Sequence, residues 1–462
     1  MRHFITLLLG GCVVGVLPTA AQITPSLGGD WSGTLGPLTL TAHLQDPPGG
    51  PRSGTLDIPA QNAKALPLQL RSKGDSVYLV LEVAQARFAG RRTSNGQALV
   101  GEWQQGGRTF PLTFSRLSAE AAAAGPARPQ APRGPFPYQA REVSFTNQSA
   151  GIELAGTLTM PAGKEPFPAV VLLTGSGPED RDETLFGHKP FAVLADYLTR
   201  RGVAVLRFDD RGVGQSGGTL AGTTSADYAA DARAALAWLR TQPGINPQRV
   251  GLVGHSEGGT AAILAAGQPQ GPAMLVLLAA PGLPGDELIV QQVLALSRMQ
   301  KRDSIQLLYI ERAQRQVVSI IEQTPDNTQA RDKLLPLLSA DNSTNPGRLA
   351  QVEAQIKQAT SPSYRAILAD RPAQTLPHVH CPVLALGGSL DRQVPAAANL
   401  AGIRQGLQAA GNKDVTTKEL PGLNHLFQTA TTGSPAEYGT LTETFAPAAL
   451  QVIGDWLVAH GK

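Results

Sequence analysis

The 462-residue sequence predicts a doubly wound α/β domain with a helical insertion, preceded by a small all-β domain. Three observations carry this expectation. Between Gly28 and Arg116, short alternating runs are broken by Gly and Pro at close intervals, the mark of antiparallel strands and turns. Beyond residue 137 the rhythm changes to unbroken apolar runs, which suit parallel strands covered on both faces. Helical stretches separate those runs, and strand–helix alternation implies a parallel sheet wound on both sides.

The elements follow in chain order. Met1, Arg2 and His3 precede an apolar run from Phe4 to Leu17, and Thr19-Ala20-Ala21 then precede Gln22. This is the pattern of a secretory signal over residues 1–21, cut after Ala21, and it predicts an exported, periplasmic or secreted protein. A run of roughly 14 residues is too short for a bilayer that needs about 20, so no stable membrane span is expected. Leu9-Gly10-Gly11-Cys12 also reads as a lipobox, although the apolar run continuing past Cys12 argues against cleavage there. Removal of the signal leaves Cys381 as the single cysteine, so no internal disulfide is expected.

The all-β domain is assigned to residues 28–117. Leu38 to Leu44, Leu66 to Leu70 and Val77 to Leu81 alternate, and Asn95-Gly96 and Gly106-Gly107 mark turns. Trp31 and Trp103 read either as an aromatic binding face or, preferably, as core plugs. Residues 118–137, Ala-rich and then Pro-rich, read as a semi-rigid linker. Residues 138–462 carry the apolar runs Ala169 to Leu173, Val203 to Phe208, Val250 to Val253, Met274 to Leu278 and Val383 to Leu386. Ala226 to Leu239 has apolar positions every three or four residues and predicts a helix. Residues 285–370 are helical in pattern without a strand-like run, and are expected to form a lid. A net charge of +3, from 39 basic and 36 acidic residues, gives no basic stripe for nucleic acid.

Gly-x-Ser-x-Gly occurs twice, at Gly254 to Gly258 and at Gly214 to Gly218. A nucleophile turn requires a strand running straight in and a helix leaving. Ser256 has both, whereas Ser216 lies in a loop well past its strand and well before the next helix. Ser256 is therefore the candidate nucleophile. A serine hydroxyl needs a base and an acid that orients the base. Of the histidines after Ser256, His425 alone follows the outgoing end of a strand, Val415 to Leu420; His378 and His380 precede one, and His460 is close to the C-terminus. Asp391 is the carboxylate in the loop after Val383 to Leu386; its competing reading is a helix cap. The oxyanion is assigned to the backbone N–H groups of Glu257 and Ser176, with Gly175 or Gly177 as alternative donors to Ser176. Gly175, Gly177 and His255 are expected against the substrate. His378-Val379-His380-Cys381 has no matching ligand set, and neither metal nor cofactor is expected. Glu179 to Asp182 and Asp209 to Arg211 read as salt-bridged loops.

Together, the stretches Thr174 to Asp182, Phe208 to Gly214, Gly254 to Gly259 and Leu423 to Gln428, with Pro382 to Leu386, Asp391 and Val394-Pro395, resemble the EstD-type bacterial carboxylesterases. The resemblance runs from Glu142 to the C-terminus. It implies an α/β-hydrolase fold and a serine esterase acting on small-molecule acyl esters, with the family's triad falling on Ser256, Asp391 and His425. A rival reading is an aminopeptidase-type serine peptidase, which needs an acidic group for the substrate amine; Glu322 or Glu353 in the lid is the candidate. A surface-binding role for the β domain is the other rival. Spacing sets neither acyl-chain length nor oligomeric state.

Overall fold

Alternating side chains close the N-terminal strands on themselves. The computed structural model describes residues 26–35, 38–47, 50–58, 63–118, 128–339, 346–409 and 411–461. The proposed signal and Cys12 lie outside the described residues. The chain forms two compact units. The first is a closed eight-stranded barrel: β1 (Gly29–Leu35), β2 (Leu38–Gln45), β3 (Ser53–Ile58), β4 (Ala63–Lys73), β5 (Ser76–Leu81), β6 (Ala86–Arg92), β7 (Ala98–Gln105) and β8 (Arg108–Arg116). β1 returns to pair with β8, Trp31 opposite Arg116, and closure leaves no free sheet edge. Leu40, Ala42 and Leu44 point inward at every second position of β2. Trp31 and Trp103 are both buried, so they plug the core. Trp31 Nε1 donates to the Leu27 carbonyl at 2.9 Å, and the Arg116 guanidinium lies 4.3 Å from the ring centre.

The second unit is built on one eight-stranded sheet. Its strands are β9 (Gln139–Asn147), β10 (Ile152–Met160), β11 (Phe167–Leu173), β12 (Ala204–Phe208), β13 (Ile245–His255), β14 (Leu275–Leu278), β15 (Val383–Gly388) and β16 (Val415–Leu420). The spatial order is β16-β15-β14-β13-β11-β12-β10-β9. β10 pairs antiparallel with both β9 and β12; the remaining pairs are parallel. β9 and β10 are additions to the strands expected from apolar runs. β9, at the sheet edge, alternates instead of running apolar, with a mostly exposed first half. This order, with its single reversed strand, defines the α/β-hydrolase fold.

The helices are α1 (Pro190–Arg200), α2 (Ser225–Arg240), α3 (Glu257–Ala266), α4 (Gly285–Met299), α5 (Ser304–Gln323), α6 (Asn327–Leu338), α7 (Pro346–Ala359), α8 (Pro362–Ala369), α9 (Pro372–Thr375), α10 (Ala396–Ala409) and α11 (Pro447–His460). Two apolar layers sandwich the sheet. α2, α3 and α10 cover one face, with Ala232, Leu236, Ala262 and Ile403 in its core. α1 and α11 cover the other, with Phe191, Leu198, Ile453 and Leu457. Between β14 and β15, α4 to α8 form the expected insertion, with a core of its own around Val318, Ile321, Leu334, Val352, Ile356 and Leu368.

One expectation is corrected. The linker reading fails for residues 128–137, which are tied to the larger unit: Arg128 donates to the carbonyls of Phe186, Gly439 and Leu441, and Gln130 donates to that of Phe445. His378 ends a short 3-10 turn, Leu376–His378, ahead of β15.

Truncating Trp31 to Ala removes one of the two largest buried side chains of the barrel and is expected to cost about 3–5 kcal/mol. Chemical denaturation followed by tryptophan fluorescence, compared with Trp103→Ala, checks this.

Candidate active site

The sheet delivers four loops to the C-terminal ends of its parallel strands. They follow β11, β13, β15 and β16, and carry Gly175 to Gly177, Ser256, Asp391 and His425 respectively.

Ser256 links β13 directly to α3, with φ 52° and ψ −119°. A non-glycine residue held there is strained by about 1–3 kcal/mol. The glycines around it are required sterically. A Cβ on Gly254 would lie 2.2 Å from the Gly258 carbonyl oxygen, and one on Gly258 would lie 2.3 Å from that of Leu173. The turn ends with the Glu257 N–H at the start of α3, where the helix leaves amide groups unbonded. The Glu257 side chain turns aside and accepts from Ser225 Oγ at 2.8 Å.

Asp391 and His425 meet at 2.8 Å, Oδ2 to Nδ1, both buried. The other Asp391 oxygen accepts the N–H groups of Gln393 and Val394, each at 2.8 Å. One carboxylate thus makes a turn cap and an imidazole contact together. With Nδ1 serving as the donor to Asp391, Nε2 is left as the basic nitrogen. Asn424 and Gln428 hold the loop in which His425 sits: Asn424 Oδ1 accepts from the N–H groups of Leu426 and Gln428, and Asn424 Nδ2 donates to Gln428 Oε1. Ser256 and His425 line one cavity of about 370 Å³, but no hydrogen bond joins their side chains here. Such contacts commonly tighten only when substrate binds.

The loop after β11 supplies Ser176, on the cavity wall. The Gly175 N–H is committed to Glu183 Oε1 at 2.8 Å, which removes Gly175 from the candidate oxyanion donors. Gly177 has φ 123°, a conformation that suits glycine. His255 lines the cavity, but both of its ring nitrogens are committed. Its Nδ1 meets Glu183 Oε1 at 2.7 Å and its Nε2 meets the His425 carbonyl at 3.0 Å, so neither nitrogen is free for a ligand.

The other Gly-x-Ser-x-Gly serine is a structural residue. Ser216 Oγ donates to the Asp209 carbonyl at 2.7 Å and accepts the Ala155 N–H at 3.0 Å. The charged loops behind the site interlock. Arg181 forks onto Asp209 at 2.7 and 3.0 Å and also pairs with Glu142; Arg207 pairs with Asp182. Arg211 forks onto buried Asp231 at 2.7 and 2.9 Å. Asp210 accepts from Thr174 Oγ1 at 2.8 Å and anchors the loop after β11.

The helical insertion lines the cavity with Leu288, Ile289, Tyr364, Ile367 and Asp370. The lid carboxylates expected to meet an amine are elsewhere: Glu322 pairs with Arg371 and Glu353 with Arg331, and neither lines the cavity. The carboxylates that do line it include Glu179 and Asp370, both absent from the sequence expectation for this pocket. Burial, then the charges of Glu183, Asp210 and Asp180, push Glu179 up to about 8. Burial likewise lifts Asp370 to about 6. Among the described residues, no group of three or more His, Cys, Asp or Glu side chains could hold a metal ion. No described helix is long and apolar enough to cross a membrane.

Fold and site together define an α/β-hydrolase with a serine at its nucleophile turn. The chain belongs to the X-Pro dipeptidyl-peptidase (S15) family, which matches residues 150–410. It is 34% identical over 142 residues to Esterase EstD of Thermotoga maritima, a match covering 30% of this chain and 33% of that protein. It is 31% identical over 134 residues to the uncharacterized protein YfhR of Salmonella typhimurium, covering 29% of this chain and 43% of that one. The chain thus spans about a third to two-fifths of the length of these curated relatives. Among solved structures, the Pyrococcus furiosus esterase Pf2001 is similar at 14% identity and TM-score 0.45, over 73% of this chain and 99% of that one. Proline iminopeptidase of Mycobacterium smegmatis is similar at 18% identity and TM-score 0.42, over 70% and 99%.

Glu179 gives a pH signature. The unfolded chain ionises it near its ordinary 4.5, the folded chain near 8, so its contribution to stability is complete below about 4.5 and is lost as pH rises toward 8. Glu179→Gln stays neutral. Thermal melts should coincide for the two proteins near pH 4 and separate progressively up to about pH 8, with the variant melting higher.

Proposed function

We propose that this protein is an exported serine hydrolase that cleaves carboxylic esters through an acyl-enzyme. The observation that carries the reading is the convergence of Ser256, His425 and Ser176 on one cavity, with the N–H of Glu257 beside them. His425 Nε2 takes the Ser256 proton as Oγ attacks the ester carbonyl. The oxyanion rests on the N–H groups of Glu257 and Ser176. His425 then protonates the departing alcohol, and water repeats the sequence on the acyl-serine. Asp391 holds the ring and stabilises its charged form. Leu185, Leu288, Ile289, Ile367, Val394 and Leu426 give the cavity an apolar wall for the acyl chain, and the lid limits its size and excludes water. Export rests on the leader pattern of residues 1–21.

The family's description favours a second reading, hydrolysis of peptides with a free amine. Glu179 and Asp370 would then meet the amine. Burial raises both, and Glu179, held up to about 8, suits a neutral acyl group better than an amine. A p-nitrophenyl butyrate assay beside an X-Pro naphthylamide assay separates the two. The expected outcome is a higher kcat/KM for the ester, reduced about 10³-fold or more by Ser256→Ala, His425→Ala or Asp391→Asn. A higher kcat/KM for the naphthylamide selects the peptidase.

A further inference from the structure

We infer that Glu183 and His255 form a positioning pair that locks the loop after β11, the nucleophile turn and the His425 loop into one register, with His255 working as an imidazolium. The inference rests on the serine-hydrolase reading for its kinetic consequence, but its geometry stands alone.

Both ring nitrogens of His255 face acceptors: the Glu183 carboxylate at 2.7 Å and the His425 carbonyl at 3.0 Å. A neutral imidazole has a single N–H and cannot donate to both. The same Glu183 oxygen also accepts the Gly175 N–H at 2.8 Å, so it acts as an acceptor toward both groups. Both side chains are buried. A buried charged pair survives only with its polar atoms satisfied, and here each bond leads to a different loop of the site. From Glu183 one bond reaches the residue before Ser176. From His255, the residue before Ser256, the other reaches the backbone of His425 itself.

The backbone marks the same three places. Glu183, Ser256 and Phe427 have φ of 52°, 52° and 59°, and strained residues of this kind persist only where their surroundings over-determine them. The ionisable groups around His255 are Glu183 and Glu179 from the loop after β11, Asp391 from the loop after β15 and His425, whose ring centre is 4.8 Å away. Burial opposes the charged ring, but the charge and hydrogen bond of Glu183, the His425 carbonyl and Asp391 outweigh it and hold His255 up at about 9. Above that pH one N–H is lost, and with it one of the two ties.

Two measurements on the full chain test this. The first is the pH dependence of kcat and KM with p-nitrophenyl butyrate for wild type, Glu183→Gln and His255→Gln. Glu183→Gln keeps an acceptor for Gly175 but removes the charge. Its kcat should fall about 10–100-fold with KM changed less than about threefold, as expected for misplaced reacting groups. An alkaline fall of kcat is expected near pH 9 in wild type and should move toward the ordinary histidine value of about 6.5 in the variant. The second is histidine-selective ¹⁵N NMR of the wild type, which needs no variant to fold; His255→Gln assigns the signals. Two ring N–H signals from His255 at pH 7, one lost on titration through about 9, support the pair. One ring N–H at pH 7, or a Glu183→Gln enzyme with wild-type kcat and an unmoved alkaline limb, overturns it. The two-proton signature in a protein without Ser256-dependent ester turnover supports the ion pair and overturns the ester reading instead.

Discussion

The turn at Ser256 is the constraint on which the rest of the site depends. A parallel strand must end and a helix must begin with a single residue between them, and that residue sits at φ 52°. Such a junction closes only if the strand and helix backbones come into contact. Gly254 and Gly258 allow that contact, because a Cβ on either would fall within about 2.4 Å of a carbonyl oxygen. The strain lifts the hydroxyl above the sheet edge and puts the first amide of α3 beside it. A serine hydroxyl and a helix-start amide thus come from one backbone feature.

The remaining groups are brought to this turn by ties between loops. The Asp391 carboxylate meets the His425 ring across adjacent strand ends, and Asn424 with Gln428 fixes the loop that carries the ring. Behind them, Asp210 anchors the loop after β11 through Thr174, and the Arg181–Asp209 and Arg211–Asp231 forks hold the neighbouring turns. These arginine pairs are largely buried, so removing one partner strands a charge away from water, at a cost of about 3–5 kcal/mol. The polar network therefore specifies loop geometry, while the two apolar layers on the sheet supply the driving force for folding.

Local chemistry was legible in the sequence, and long-range pairing was not. Apolar runs located β11 to β15, and strand exits singled out Ser256, Asp391 and His425, because each signal lies within a few residues. β9 escaped because an edge strand with an exposed first half alternates and breaks the expected run. The partners of His255 were hidden because nothing near it in sequence shows that Glu183, 72 residues away, takes one of its nitrogens. Glu183 itself was hidden at the end of the charged stretch from Glu179 to Asp182. The helical insertion was visible as a strandless helical stretch. Which of its carboxylates faces the cavity depends on how its helices pack, and that brought Asp370 inward and left Glu322 and Glu353 paired with arginines. Residues 128–137 carry the composition of a spacer, yet Arg128 and Gln130 find carbonyl partners more than 300 residues further along the chain.

In the proposed mechanism the strained turn makes Ser256 the reactive nucleophile, with His425 as its base. Covalent labelling with phenylmethanesulfonyl fluoride, followed by peptide mass spectrometry, tests it most directly. One adduct is expected, on the peptide containing Ser256, formed rapidly in the wild type and at least about 10²-fold more slowly in His425→Ala. An adduct on Ser216 or Ser176, or labelling of Ser256 that is indifferent to His425, would contradict it.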